Sequence, residues 1–143
     1  MARLIVGGQI LNSKKEAPNK SQILSPKRYD LEERTLEFGR RTIRLCKSLP
    51  KDVVNRNLCD QLIRSGTSMG ANYREANETD TKRDFKSRIR ITKKEAKETV
   101  YWLELIIEAN PGLKERILPL LEEAKELMRI FGSIYESTKK PRL

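Results

Sequence analysis

The 143-residue chain contains no histidine. That absence removes the commonest general base and the commonest metal ligand together, so no catalytic residue, no metal and no cofactor is expected. Cysteine is scarce as well. Cys46 and Cys59 form no CxxC pair and are too few to frame a disulfide-stapled fold, which fits a reduced, cytoplasmic setting. Aromatic residues make up 6%, with seven glycines and six prolines, a composition that suits helices better than sheets. Leu4, Ile5 and Val6 give way at once to Gly7 and Gly8, a run too short for a secretory hydrophobic region. Nothing approaches the roughly 20 apolar residues that a membrane span needs. The expectation is a soluble, unexported protein of one domain.

Charge, by contrast, is plentiful: 35% of residues, with a net +10. Residues 1–29 hold six Lys or Arg against Glu16 alone, and residues 137–143 hold Lys139, Lys140 and Arg142 with no acid. The body between them carries 21 basic and 19 acidic residues, so most of the basicity belongs to the ends. Residues 1–29, with Gly7, Gly8, Pro18 and Pro26 among Ser, Asn and Lys, read as a flexible basic arm. Residues 30–138 read as the folded unit and 139–143 as a basic tail.

Within the folded unit the apolar period is helical throughout. Leu31, Thr35, Phe38, Thr42, Leu45 and Leu49 recur at alternating steps of three and four, and Pro50 stops that helix. A second helix begins near Asp52 and carries Leu58, Leu62, Ser65, Met69, Tyr73 and Ala76 on one face. In the third, Phe85, Ile89, Thr92, Ala96, Thr99, Leu103 and Ile106 hold a seven-residue repeat, with Thr81 placed as N-cap and Asn110, Pro111 and Gly112 as the stop. The fourth runs from about Leu113 through Ile117, Leu120, Ala124, Leu127, Phe131 and Ile134 to about Tyr135, with Pro119 in its first turns or displacing its start. Four amphipathic helices with short connections predict an all-α fold, an antiparallel up-down-up-down four-helix bundle.

The stretch SGTSMGA, residues 65–71, interrupts the second helix by residue type but not by period. Its glycines have the wrong spacing for a phosphate loop and no lysine follows them. A turn that breaks the helix is one reading. The favoured one keeps the helix: Gly66 and Gly70, one turn apart beside Ser65, Met69 and Tyr73, form a low ridge for close helix packing, inside the bundle or between subunits. Two interior glycines cost about 2 kcal/mol in helix propensity, which close packing would have to offset. Arg64, Asn72, Arg74 and Glu75 border the ridge as a capped, ion-paired helix surface, or as a polar subunit interface or an anion site.

On the third helix, with Phe85 at zero on the wheel, Arg83, Lys86, Arg90, Lys93 and Lys97 fall between about 80° and 160°, with Lys94 beside them. Asp84, Glu95 and Glu98 lie on the opposite flank. The stripe is about 20 Å long and occupies the helix's N-terminal half, where the macrodipole disfavours cations. A polyanion would account for it, since evenly spaced Lys and Arg neutralise successive phosphates. The competing readings are a solvated face, or one neutralised by Glu122, Glu123 and Glu126 of the fourth helix. Farther along, Tyr101 and Trp102 beside Leu103, Ile106 and Ile107 read as core or subunit packing rather than as a base-stacking platform.

The segments LPKDVVNRNLCDQLIRSGTSMGANYREAN and KRDFKSRIRITKKEAKETVYWLELIIEA resemble the bacterial four-helix-bundle proteins encoded by intervening sequences in 23S ribosomal RNA genes, also labelled S23 ribosomal proteins. The resemblance spans roughly residues 34–135. It implies a bundle whose small-residue run stays helical, and assembly into a homopentamer. It also implies kinship with the accessory variability proteins of diversity-generating retroelements, basic pentamers that bind nucleic acid and a reverse transcriptase. The expected function is a non-enzymatic, oligomeric bundle that binds RNA or DNA with low sequence specificity, with no membrane involved. The alternative is a scaffold that docks a protein partner, such as a reverse transcriptase, without touching nucleic acid. A nuclease would have to work through Glu75, Glu78, Asp80 and Asp84, whose spacing fits no metal site.

Overall fold

A computed structural model describes residues 26–139, with side chains from residue 30 onward. Four helices make up the fold: α1 (Pro26–Ser48), α2 (Val53–Asn77), α3 (Lys82–Ala109) and α4 (Lys114–Ser137), with a short 3-10 turn at Pro111–Leu113. The chain is an all-α four-helix bundle. Helix α1 starts four residues before Asp30, with Pro26 at its first position, where the missing N–H costs nothing. The arm expected over residues 1–29 lies outside the described residues as far as residue 25, as does the basic tail beyond Lys139.

Local chemistry sets the other boundaries. Asp52 caps α2 by accepting from the Asn55 backbone N–H at 2.8 Å, and Thr81 caps α3 by accepting from the Asp84 N–H at 3.0 Å, which satisfies donors that a helix start leaves orphaned. Pro119 sits inside α4 and does not displace its start. Its ring denies a donor to the Glu115 carbonyl, and both residues are exposed, so the loss falls on the solvent-facing side of the helix.

Cross-helix pairs fix the directions. Gly70 faces Thr35 and Gly66 faces Thr42, while Asn77 Nδ2 donates to Glu32 at 2.8 Å, so α1 and α2 run antiparallel. Between α2 and α3, Arg64 meets Glu98 at 2.9 Å and Arg88 donates to Asn72 at 3.0 Å, again in antiparallel register. The α2–α3 seam is the most extensive and the α1–α4 seam the thinnest.

The core follows the apolar period closely. Leu31, Phe38, Leu62, Met69, Ile89, Leu103, Ile117, Leu127 and Phe131 are buried, and Tyr73 tilts against Phe131 with ring centroids 5.2 Å apart. Three expected positions, Leu58, Phe85 and Ile134, are only half-buried, because each lies near a helix end. Thr35 and Thr99 occupy core positions by bonding back along their own helix, Thr35 Oγ1 to the Leu31 carbonyl at 2.8 Å and Thr99 Oγ1 to that of Glu95 at 2.7 Å, whereas the buried Thr42 Oγ1 has no partner among the described residues.

Candidate functional site

The small-residue run stays helical and faces inward. Ser65, Gly66, Met69, Gly70 and Tyr73 are all buried. Of the two packing partners that sequence left open, the bundle itself takes the ridge: a Cβ at Gly66 would lie 3.3 Å from Thr42 Oγ1, and one at Gly70 2.9 Å from Thr35 Oγ1. The glycines therefore let α1 approach α2. On the same helix Ser65 Oγ lies 3.0 Å from Thr99 Oγ1 of α3, so α2 is gripped from both sides. Trp102 is half-buried, edge-on to the exposed Tyr101 with centroids 4.9 Å apart, and its indole N–H is buried with no partner among the described residues.

The cationic stripe forms as expected on the outer face of α3. Arg83, Arg90, Lys94 and Lys97 are exposed, and Lys86 and Lys93 are half-buried. Among the described residues none of the six makes an ion pair, although other surface arginines do. Arg34 forms a two-pronged bond to Glu123, at 3.1 and 2.9 Å; Arg44 meets Glu37 at 2.8 Å; Arg64 meets Glu98 at 2.9 Å and Glu95 at 3.5 Å. Glu122, Glu123 and Glu126 form no ion pair with the stripe among the described residues: Glu123 is bonded to Arg34 of α1, and Glu126 lies 4.0 Å from Arg129 of its own helix.

Farther along the same face of α3 come Glu104 and Glu108, both exposed, at about 100° and 140° on the wheel. The positive field is thus confined to the helix's N-terminal half. Arg64 and Asn72 are taken up within the α2–α3 seam, which favours the ion-paired reading of that border.

Sequence periodicity gave no hint of Tyr135 as part of this face. Its ring, on α4, lies under three ammonium groups: Lys93 Nζ at 4.8 Å from the centroid, Lys139 at 5.0 Å and Lys86 at 6.0 Å. The sequence marked Tyr135 only as the approximate end of the fourth helix. Its role depends on which residue α3 sets opposite it.

On the other flank, Glu95 is 8% exposed, and its Oε1, 3.5 Å from the Arg64 guanidinium, accepts no hydrogen bond among the described residues. Burial, and then the nearby Glu98, hold its pKa above the ordinary 4.5, against the pull of Arg64 and Lys94. Among the described residues no group of three or more His, Cys, Asp or Glu is placed to hold a metal, and no helix is long and apolar enough to cross a membrane.

The family described as 23S rRNA-intervening sequence protein matches residues 27–133. A crystal structure of a protein of unknown function from the S23 ribosomal protein family of Bacteroides thetaiotaomicron is similar at a TM-score of 0.65 and 34% identity, covering 73% of this chain and 97% of that one. No curated protein matches the chain.

Proposed function

The chain belongs to the 23S rRNA-intervening sequence protein family, and from that premise we propose that it is a non-enzymatic bundle that binds RNA or DNA with low sequence specificity through the outer face of α3. The observation that carries this reading is the set Arg83, Lys86, Arg90, Lys93, Lys94 and Lys97, without ion pairs among the described residues, whereas Arg34, Arg44 and Arg64 elsewhere on the surface have carboxylate partners. Cations left without protein counterions are available to phosphates, and the counterions released on binding favour association. Contacts of that kind carry no base identity, hence the low specificity.

Assembly into a homo-oligomer, a pentamer by family resemblance, would repeat the stripe and add avidity. Exposed Leu36 and Ile43, two turns apart on α1 and 38% and 45% accessible, supply apolar surface for such contacts. A fluorescence anisotropy titration with RNA and DNA across salt concentrations tests binding. The affinity should fall steeply with salt, and replacing Arg83, Lys86, Arg90, Lys93 and Lys97 by Gln should flatten that slope. Undetectable binding at low salt, or an unchanged slope, rejects the proposal. Native mass spectrometry of the same sample reads the subunit number.

The second reading is a cytoplasmic scaffold that docks a protein, a reverse transcriptase being one candidate. Tyr101, 55% accessible beside half-buried Trp102 and Leu105, favours it as an aromatic contact surface. Affinity capture after nuclease treatment separates the two, since a protein retained without nucleic acid supports the scaffold.

A further inference from the structure

The α3–α4 seam adds a local feature to the stripe. Lys86 and Lys93 are seven residues apart on α3, about two turns, and both ammonium groups turn toward the one Tyr135 ring on α4. Lys139, just beyond the end of α4, approaches the same ring. Of the three, Lys139 has a carboxylate nearby, Glu136 at 3.4 Å; Lys86 and Lys93 have none among the described residues. Three like charges gathered around one aromatic ring repel one another, and cation–π attraction offsets only part of that. A shared anion would relieve the rest.

Gly132 lies one turn before Tyr135 on α4 and is half-buried, and a Cβ placed on it would meet nothing within 4 Å, so no neighbouring atom crowds that position. Lysine ammonium groups are flexible point charges with three donors each, suited to the oxygens of a phosphate group. A long lysine stem is normally free to rotate, and ordering it costs entropy; laid against an aromatic face, it is partly ordered before the ligand arrives.

We infer that Tyr135 is a positioning residue for a phosphate site at the α3–α4 seam, where Lys86, Lys93 and Lys139 together hold one phosphate group. The inference rests on the nucleic-acid reading for its natural ligand, a backbone phosphodiester. A free oligophosphate offers the same chemistry, and the test separates the two.

The decisive variant leaves every charge in place. Tyr135→Leu should weaken binding of a short single-stranded oligonucleotide at low salt by about fivefold, because the lysines lose the ring that gathers them. Tyr135→Phe, which keeps the ring face, should bind like the wild type. Circular dichroism and thermal unfolding monitor the fold of both; if Tyr135→Leu fails to fold, Lys93→Gln with Lys97→Gln as comparison replaces it, and Lys93→Gln should cost more. Wild-type affinity in Tyr135→Leu, or equal losses in the two lysine variants, overturns the inference.

Lysine side-chain NMR, with sodium tripolyphosphate and the oligonucleotide added separately, identifies the ligand. Shifts of Lys86, Lys93 and Lys139 with both support the site on a nucleic-acid protein. Shifts with tripolyphosphate alone keep the site and remove the nucleic-acid reading. Oligonucleotide binding that depends on the stripe but leaves these three lysines unmoved keeps that reading and removes the site.

Discussion

A Cβ atom on Gly70 would stand 2.9 Å from Thr35 Oγ1 and 3.0 Å from Thr35 Cβ. The missing side chain on α2 thus sets how near α1 can lie, and Thr35 cannot turn aside without giving up its bond to the Leu31 carbonyl. Helix propensity alone would reward alanine at each helical glycine by about 1 kcal/mol. Overpacking opposes it with about 1–3 kcal/mol. Gly70→Ala is therefore expected to destabilise by up to about 2 kcal/mol and Gly66→Ala, 3.3 Å from Thr42 Oγ1, by less. Gly39→Ala, whose nearest neighbour would be the Thr67 methyl at an ordinary 3.8 Å, should stabilise. Urea unfolding of the three variants checks the order, and a stabilised Gly70→Ala would contradict the close-approach account.

The amides of Asn55 and Asn110 pair reciprocally. Asn55 Nδ2 donates at 3.0 Å and Asn110 Nδ2 donates back at 2.8 Å, and each also reaches a backbone carbonyl, of Pro50 and Ile106 respectively. Both residues are buried. The pair ties the start of α2 to the end of α3. Alanine at either position leaves the other amide buried with unmet bonds, an expected loss of about 2–3 kcal/mol. The double variant should lose clearly less than the two single losses combined, and strict additivity in a denaturant cycle would show that the pair does not act as a unit.

Glu95 makes stability depend on pH. Its folded-state pKa is raised by burial and by Glu98, so the native chain holds this proton more tightly than the unfolded one. Protonation therefore stabilises: the contribution is present near and below the ordinary value of 4.5 and is lost as pH rises through the folded value. Arg64 of α2 and Lys94 face the same group and moderate the effect. The stability of Glu95→Gln relative to the wild type should rise on going from acid to neutral pH. A difference that stays flat over that range would mean the carboxylate is solvated in both states.

Cys46 of α1 and Cys59 of α2 stand in the same antiparallel register as Thr35 and Gly70, and both line one open pocket of about 280 Å³. Burial first, then Cys59, push the Cys46 thiol above its usual pKa, so little thiolate exists at neutral pH and oxidation should be faster at alkaline pH. Treatment with the oxidant diamide should join the two sulfurs, the two thiol hydrogens passing to the reagent. Closing a loop of about 14 residues should raise stability by about 3 kcal/mol. Non-reducing electrophoresis should show a monomer band lacking free thiol; cross-linked dimers in its place would mean that the two thiols do not meet within one chain.

The helices and their inward faces were written in the sequence. A period of three and four places Leu62, Leu103 and Leu127 on apolar stripes whatever they pack against, and Asp52 and Thr81 cap their helices through bonds three residues long. The stripe from Arg83 to Lys97 is likewise a property of one helix, readable by counting. What counting cannot do is pair one helix with another. The sequence showed that residues 65–71 are small, but only packing decided that Thr35 and Thr42 of α1 fill the space. It showed Glu123 and Lys86 as surface charges, and only the arrangement of the helices sent Glu123 to Arg34 and set Lys86 over Tyr135. Local periodicity fixes which way a side chain points from its own axis, whereas its partner depends on the register between helices, which many contacts far apart in the chain determine together.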